Sequence, residues 1–208
     1  MQKIVLLFWG FIAFKSARAD YDPLTLSKLI DKSELIAQCK VIQLSEGYFE
    51  IQVIEILKGS LTTNKIKVEK FQNWTCASRY SDYHIGQVEL IFLRKNVYHD
   101  YWNILGAGNE GEMLIENNFL YYEAKYSIGS EKLDSIPLGK GVFWGFQYSL
   151  SDVTIGIREY LRDRKTIVAL IDKKKIKSYK TKNPFLLRII KEFENQLGLT
   201  SSQKSDPF

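Results

Sequence analysis

The sequence predicts a mainly β domain, a barrel or sandwich, with a short helix ahead of it and two helices behind. Three observations carry this. About eight short strand-like segments follow one another at near-regular spacing between Leu35 and Tyr148. No helical segment separates them, so the βαβ alternation of a parallel sheet is missing. After Ser149 the apolar period changes from two to about 3.6 and stays there.

The elements follow in order. Asp22-Pro23 predicts a helix start, with Asp22 as cap and Pro23 in the first turn; Leu24, Leu26, Leu29 and Ile30 form its apolar side. After Ser33-Glu34 the residues alternate. Leu35, Ala37, Cys39 and Val41 face one way, Gln38 and Lys40 the other. Glu46-Gly47 turns the chain into Tyr48–Leu57, a run of β-branched and aromatic residues closed by Lys58-Gly59. Ile51 and Val53 share its core-facing side. A shorter strand spans Ile66–Phe71, and a polar, aromatic loop runs from Gln72 to His84. Val88, Leu90 and Phe92 alternate with Glu89, Ile91 and Leu93, which predicts a strand buried on both faces. Tyr101–Leu105 is the next strand. Glu112–Ile115 and Phe119–Glu123 form a hairpin about Asn117-Asn118, residues that accept a positive φ. Val142–Tyr148 ends the β region.

Ser149 and Asp152 form a capping pair for a helix that reaches Ile171. A lysine-rich linker, 172–182, follows. Asn183-Pro184 opens a second helix with Leu186, Ile189, Ile190, Phe193 and Leu197 on one stripe, stopped by Gly198. The domain plan is therefore a signal peptide (1–19), a β-barrel with an added hairpin (20–148), a helical region (149–198) and a disordered tail (199–208).

The first nineteen residues point to export. Met1-Gln2-Lys3 is basic, Ile4–Phe14 is an eleven-residue apolar run, and Ala17-Arg18-Ala19 has the small-x-small pattern of a cleavage site. The run is short for a membrane span, which takes about 20 residues. Asp20 would begin the mature chain, in a periplasmic or extracellular compartment. No cysteine follows the cut, so no lipid anchor is expected there. Removing residues 1–19 takes away Lys3, Lys15 and Arg18 and no acid, and the formal charge of +5 falls to +2. Residues 172–208 hold nine Lys/Arg against four Asp/Glu, which leaves residues 20–171 slightly acidic. A body of that charge argues against nucleic acid as partner, since phosphate neutralisation needs a concentrated basic face.

Cys39 and Cys76 both follow the cleavage site, and in an oxidising compartment two cysteines are expected to pair. Two buried free thiols are the alternative, because two cysteines carry no spacing signature. Asn73-Trp74-Thr75 has the form of an N-glycosylation acceptor.

Residues 24–94 resemble the tissue-inhibitor-of-metalloproteinase/netrin-like module. The resemblance rests on a leading helix into Ser33-Glu34-Leu35-Ile36-Ala37-Gln38-Cys39-Lys40-Val41, then Val53-Ile54-Glu55-Ile56-Leu57-Lys58-Gly59. Cys76 and Ile85-Gly86-Gln87-Val88-Glu89-Leu90-Ile91-Phe92-Leu93 complete it. It implies an OB/netrin-like closed or partly open β-barrel. Inhibitory members place a cysteine at the mature N-terminus to chelate zinc; Asp20 stands there, so zinc-chelating inhibition is not carried over.

No HExxH, GxSxG or paired-cysteine motif occurs. His84 and His99 are the only histidines, and a metal-dependent or hydrolytic site built on them is the enzymatic alternative. The favoured expectation is a non-enzymatic, monomeric binding protein without cofactor or bound metal. Its partner would be a protein or a glycan, met by an interaction rim of Trp74, Arg79, Tyr80, Tyr83 and Trp102, because aromatic side chains anchor interfaces. A third expectation is an envelope-associated protein held by its basic segment, with residues 172–197 touching a membrane surface; a solvated linker to a helix packed on the barrel is favoured over it.

Overall fold

The computed structural model describes residues 23–74, 77–123, 134–138 and 141–199. Residues 1–22, with the expected signal peptide and the Asp22 cap, Cys76 and the expected tail at 200–208 lie outside these. The order of elements is α1 (Leu26–Lys32), β1 (Leu35–Leu44), β2 (Tyr48–Lys58), β3 (Lys65–Glu69), β4 (Val88–Lys95), β5 (Trp102–Ile104), β6 (Glu112–Glu116), β7 (Phe119–Glu123), β8 (Asp134–Leu138), β9 (Gly141–Ser149), α2 (Leu150–Asp172) and α3 (Pro184–Gln196).

The first five strands close on themselves. β1 pairs with β2, β2 with β3, β3 in parallel with β5, β5 with β4, and β4 returns to β1. This cyclic order makes a five-stranded barrel of the OB type. Its interior holds Leu35, Ala37, Cys39 and Val41 from β1, Phe49 and Ile51 from β2, Val68 from β3, and Ile91 and Leu93 from β4. Val53 packs beside them, half-buried.

β4 also carries β6 on its free edge, through Glu89–Leu114, Leu90–Met113 and Ile91–Glu112. From there β6, β7, β9 and β8 extend an antiparallel sheet away from the barrel. The three helices cover it. Leu29, Ile36, Leu90, Phe92, Met113, Leu120, Ile157, Tyr160, Phe185 and Ile189 meet in a second core between the barrel's outer wall, the hairpin and the helices. β4 is thus buried on both faces, as its unbroken apolar run requires.

Local chemistry explains most boundaries. Asn117 and Asn118 both adopt positive φ (50° and 65°), the mirror-image turn that suits a twisted two-residue hairpin. The Ser149 hydroxyl accepts from the Asp152 N–H at 3.0 Å, and Asn183 Oδ1 from the Leu186 N–H at 2.8 Å, which starts α2 and α3 at the positions read from sequence. α1 starts later than expected. Thr25 caps it, accepting from the Lys28 N–H at 3.3 Å, so Pro23 precedes the helix rather than opening it.

Two further corrections concern continuity. β8 was not anticipated: its Pro137 reads against a strand, and the structure resolves the conflict by placing β8 at the sheet edge. The lysine-rich stretch is not an open linker, because Ile176–Ser178 forms a single 3₁₀ turn with Ile176 wholly buried. α3 turns Phe185, Leu186, Ile189 and Ile190 into the core, each worth about 1.5–3 kcal/mol of burial. Its apolar stripe is therefore occupied by protein.

Candidate functional site

The sequence places a loop of thirteen residues (72–84) before β4, and that loop closes one end of the barrel. Its position follows from the strands around it. β4 and β6 run side by side with Ile91 opposite Glu112 and Glu89 opposite Leu114, so Glu89 and Glu112 are diagonal neighbours on one face. That face continues the barrel interior. Both carboxylates are fully buried there, and Arg79 from the loop comes down between them.

The contacts are specific. Arg79 donates through Nη2 to Glu89 Oε1 at 2.9 Å and through Nε to Glu112 Oε2 at 3.1 Å. Its Nη1 donates to the Ser81 carbonyl at 2.7 Å. The guanidinium carbon lies 3.5 Å from the Tyr83 ring centroid and 5.2 Å from that of Tyr80. The Tyr80 hydroxyl donates to Glu89 Oε1 at 2.9 Å, and the Tyr83 hydroxyl to Glu112 Oε2 at 3.0 Å. Gln87 Nε2 donates to the Tyr80 oxygen at 2.9 Å and also to Glu89. Tyr83 further packs on Phe49, ring centroids 4.6 Å apart, and accepts from the Phe71 N–H at 2.9 Å.

Two carboxylates and one guanidinium leave a negative charge in excess, and the interior resists it. Burial, then the neighbouring Glu89, push the Glu112 carboxyl up to about 8 against the pull of Arg79. Burial likewise raises Glu89. The pair therefore keeps a proton to higher pH than exposed carboxylates do, which limits the excess negative charge beside Arg79. Burial alone would favour a neutral Arg79, but Glu112 and Glu89 outweigh it and keep the guanidinium charged. The Cys39 thiol, across from Glu89 in the β1–β4 ladder, is pushed well up by burial and then by the two acids. Cys39 is buried and in no disulfide among the described residues, and its expected partner Cys76 lies outside them.

Arg79 and Tyr83 also line a recess of about 440 Å³ together with Lys70, Asn73 and Asp82. The side chains of Arg79, Glu89 and Glu112 are 3% exposed or less, and the arrangement ties a loop to the barrel. Of the expected rim, Arg79 is buried, while Tyr80 and Tyr83 are half-buried with their hydroxyls bonded to Glu89 and Glu112. Trp74 remains outside, 45% exposed, in a small bridge with Ala77. The sequence reading passed over Glu89 and Glu112. The signal was present in Glu89, an acid inside a strand read as buried on both faces, because such a charge requires a partner.

His84 stands in the turn before β4 and His99 in the loop after it. Eight residues of strand separate them, about 25 Å at 3.3 Å per residue. They share no site, and His99 stacks on Tyr101 at 4.9 Å. Among the described residues no three His, Cys, Asp or Glu side chains gather as a metal site requires.

Trp102 lies elsewhere. It packs against the barrel core and lines a groove of about 290 Å³ between the β2–β3 and β4–β5 loops, with Glu50, Lys65, Lys67, Lys95 and Asp100. Beside it the β4–β5 loop exposes Val97 and Tyr98, 80% and 87% accessible. Lys67 Nζ sits 5.3 Å from the Tyr48 ring centroid. No protein-family model, curated protein or solved structure matches this chain.

Proposed function

We propose that this protein is an exported, non-enzymatic binding module of OB/netrin-like type that meets a protein or glycan partner at the groove beside Trp102. The observation that supports the reading is the groove at Trp102. In OB-type barrels the face of the second and third strands, with the loops after the first and fourth, is where ligands are held. Here the groove is lined by Lys65 and Lys67 of β3, Lys95 of β4 and the half-buried Trp102 of β5, and the neighbouring β4–β5 loop shows the two most exposed large apolar side chains among the described residues, Val97 and Tyr98. Large exposed aromatics next to a charged groove favour contact with another molecule over solvent.

The test is a pull-down from the native exported fraction, with the mature chain and with Lys67→Glu/Tyr98→Ala as baits. A partner held by the first and released by the second supports the groove as the contact surface. The same proteins retained by both baits would overturn it. Both substitutions are at exposed positions, so matching melting curves are expected for the two baits.

A further inference from the structure

The lysines after α2 form a second surface, independent of the groove. Between residues 172 and 183 the chain has six lysines, one acid (Asp172) and no arginine. All six, Lys173, Lys174, Lys175, Lys177, Lys180 and Lys182, are exposed. The backbone beneath them is held at several points. The Lys174 N–H donates to the Ile171 carbonyl at 2.8 Å and the Lys175 N–H to that of Leu170 at 2.7 Å, with Lys174 at φ 54°. Ile176 is buried in the helical core, the Tyr179 hydroxyl donates to Asp163 at 2.8 Å, and Asn183 Nδ2 to the Asp152 carbonyl at 2.8 Å. Six ammonium groups are thus displayed from a folded platform.

Among the described residues the platform's lysines have no acidic partner; Lys180 Nζ donates only to the Lys177 carbonyl, at 3.4 Å. The α2 arginines all have one: Arg158 with Glu55 at 2.6 Å, Arg162 with Asp163 at 2.8 Å and Arg164 with Asp31 at 2.6 Å. The negative end of the α2 dipole accounts for cations within its last turn, Lys173 to Lys175. It does not reach Lys177, Lys180 and Lys182.

We infer that this platform binds an anionic phospholipid surface. The choice of residue argues for it. Arginine is the side chain of stereospecific, bidentate contact with a phosphate or sulfate group, and the platform has none. Unpaired lysines instead supply diffuse attraction to a sheet of negative headgroups, which needs no fixed contact geometry. α3 begins directly after the last lysine and exposes Pro184 and Leu187 (39%) on the side that also shows Lys191. A short aliphatic edge beside lysines suits the headgroup boundary.

The test is co-sedimentation of the mature chain with vesicles of phosphatidylcholine and phosphatidylglycerol in a seven-to-three ratio, with pure phosphatidylcholine vesicles and heparin beads alongside. The protein should bind the anionic vesicles at low salt, release at molar salt and ignore phosphatidylcholine. Lys173→Gln/Lys174→Gln/Lys175→Gln/Lys177→Gln should weaken partitioning by about fivefold for each lysine removed. The corresponding four-arginine variant should bind like the native chain, and it guards against a folding effect of the glutamines. Equal binding to phosphatidylcholine, or full binding by the glutamine variant, overturns the proposal. So does binding to neither support. Retention on heparin without vesicle binding overturns it in favour of a soluble polyanion.

Discussion

Glu89 and Glu112, diagonal neighbours on adjacent strands, accept hydrogen bonds from the same guanidinium, Arg79 Nη2 at 2.9 Å and Nε at 3.1 Å. The relationship converts a loop into a barrel closure. Removing the cation should therefore cost far more than removing one anion. Arg79→Met should destabilise the protein by about 3–5 kcal/mol, because it leaves buried carboxylates without their counter-ion. Glu112→Gln copies the protonated carboxyl and should cost about 1 kcal/mol or less. Urea unfolding of both variants measures the difference; equal losses would contradict the proton retained by the pair.

The same cluster predicts a pH dependence of unusual sign. Glu112 is raised to about 8, Glu89 is raised, and Glu192, buried under α1, is raised to about 7, chiefly by burial. In the unfolded chain these groups titrate near 4.5. Between about 4.5 and 8 the native state holds more protons than the unfolded state, so stability falls as pH rises through that window. The slope is on the order of 1 kcal/mol per pH unit for each group in its range. The melting temperature should be higher at pH 5 than at pH 9, and Glu112→Gln should flatten the part of the curve above pH 7.

Gly59 follows β2 at φ 86°, and a Cβ there would overlap the backbone carbonyl oxygen of Glu34 at the start of β1. Neither backbone can yield without breaking the β1–β2 ladder. Gly59→Ala should cost at least about 1–3 kcal/mol, read as a lowered denaturant midpoint with unchanged m-value. Gly47, whose Cβ would meet nothing, should accept alanine at little cost.

Ile51 is wholly buried inside the barrel, and Val53 is half-buried on the same side. Val53→Asp should destabilise severely and Ile51→Asp should prevent folding, since an unpaired buried charge costs several kcal/mol against a total of about 5–15 kcal/mol. A native-like near-ultraviolet circular dichroism spectrum for Ile51→Asp would refute the assignment of that face.

The barrel strands could be read from the sequence because each announces itself locally. Alternation in β1, the long β-branched run of β2 and the double-sided apolar run of β4 are all period signals. The caps at Ser149 and Asn183 are equally local. What could not be read depends on partners distant in sequence. The Lys58 ammonium donates to the Ile30 and Asp31 carbonyls, and Glu192 accepts from the Leu26 N–H across more than 160 residues. The inward turn of Arg79 has the same origin: the loop's composition resembles an interaction rim, and only the two acids on β4 and β6 draw it inside. β8 carries no local period signal, since its five residues Asp134–Leu138 include Pro137, and only pairing with β9 makes it a strand.

The double burial of β4 has a kinetic consequence. Its amides bond to β1 along one edge and to β6 and β5 along the other, and its side chains seal the barrel on one face and the helical layer on the opposite face. No partial opening of either unit exposes that strand without rupturing the other. In deuterated water the β4 amide protons should therefore be the last to exchange, at a rate set by global unfolding, while those of the β4–β5 loop exchange within moments. A protease that reaches β4 would have to act on a chain that has lost both cores at once.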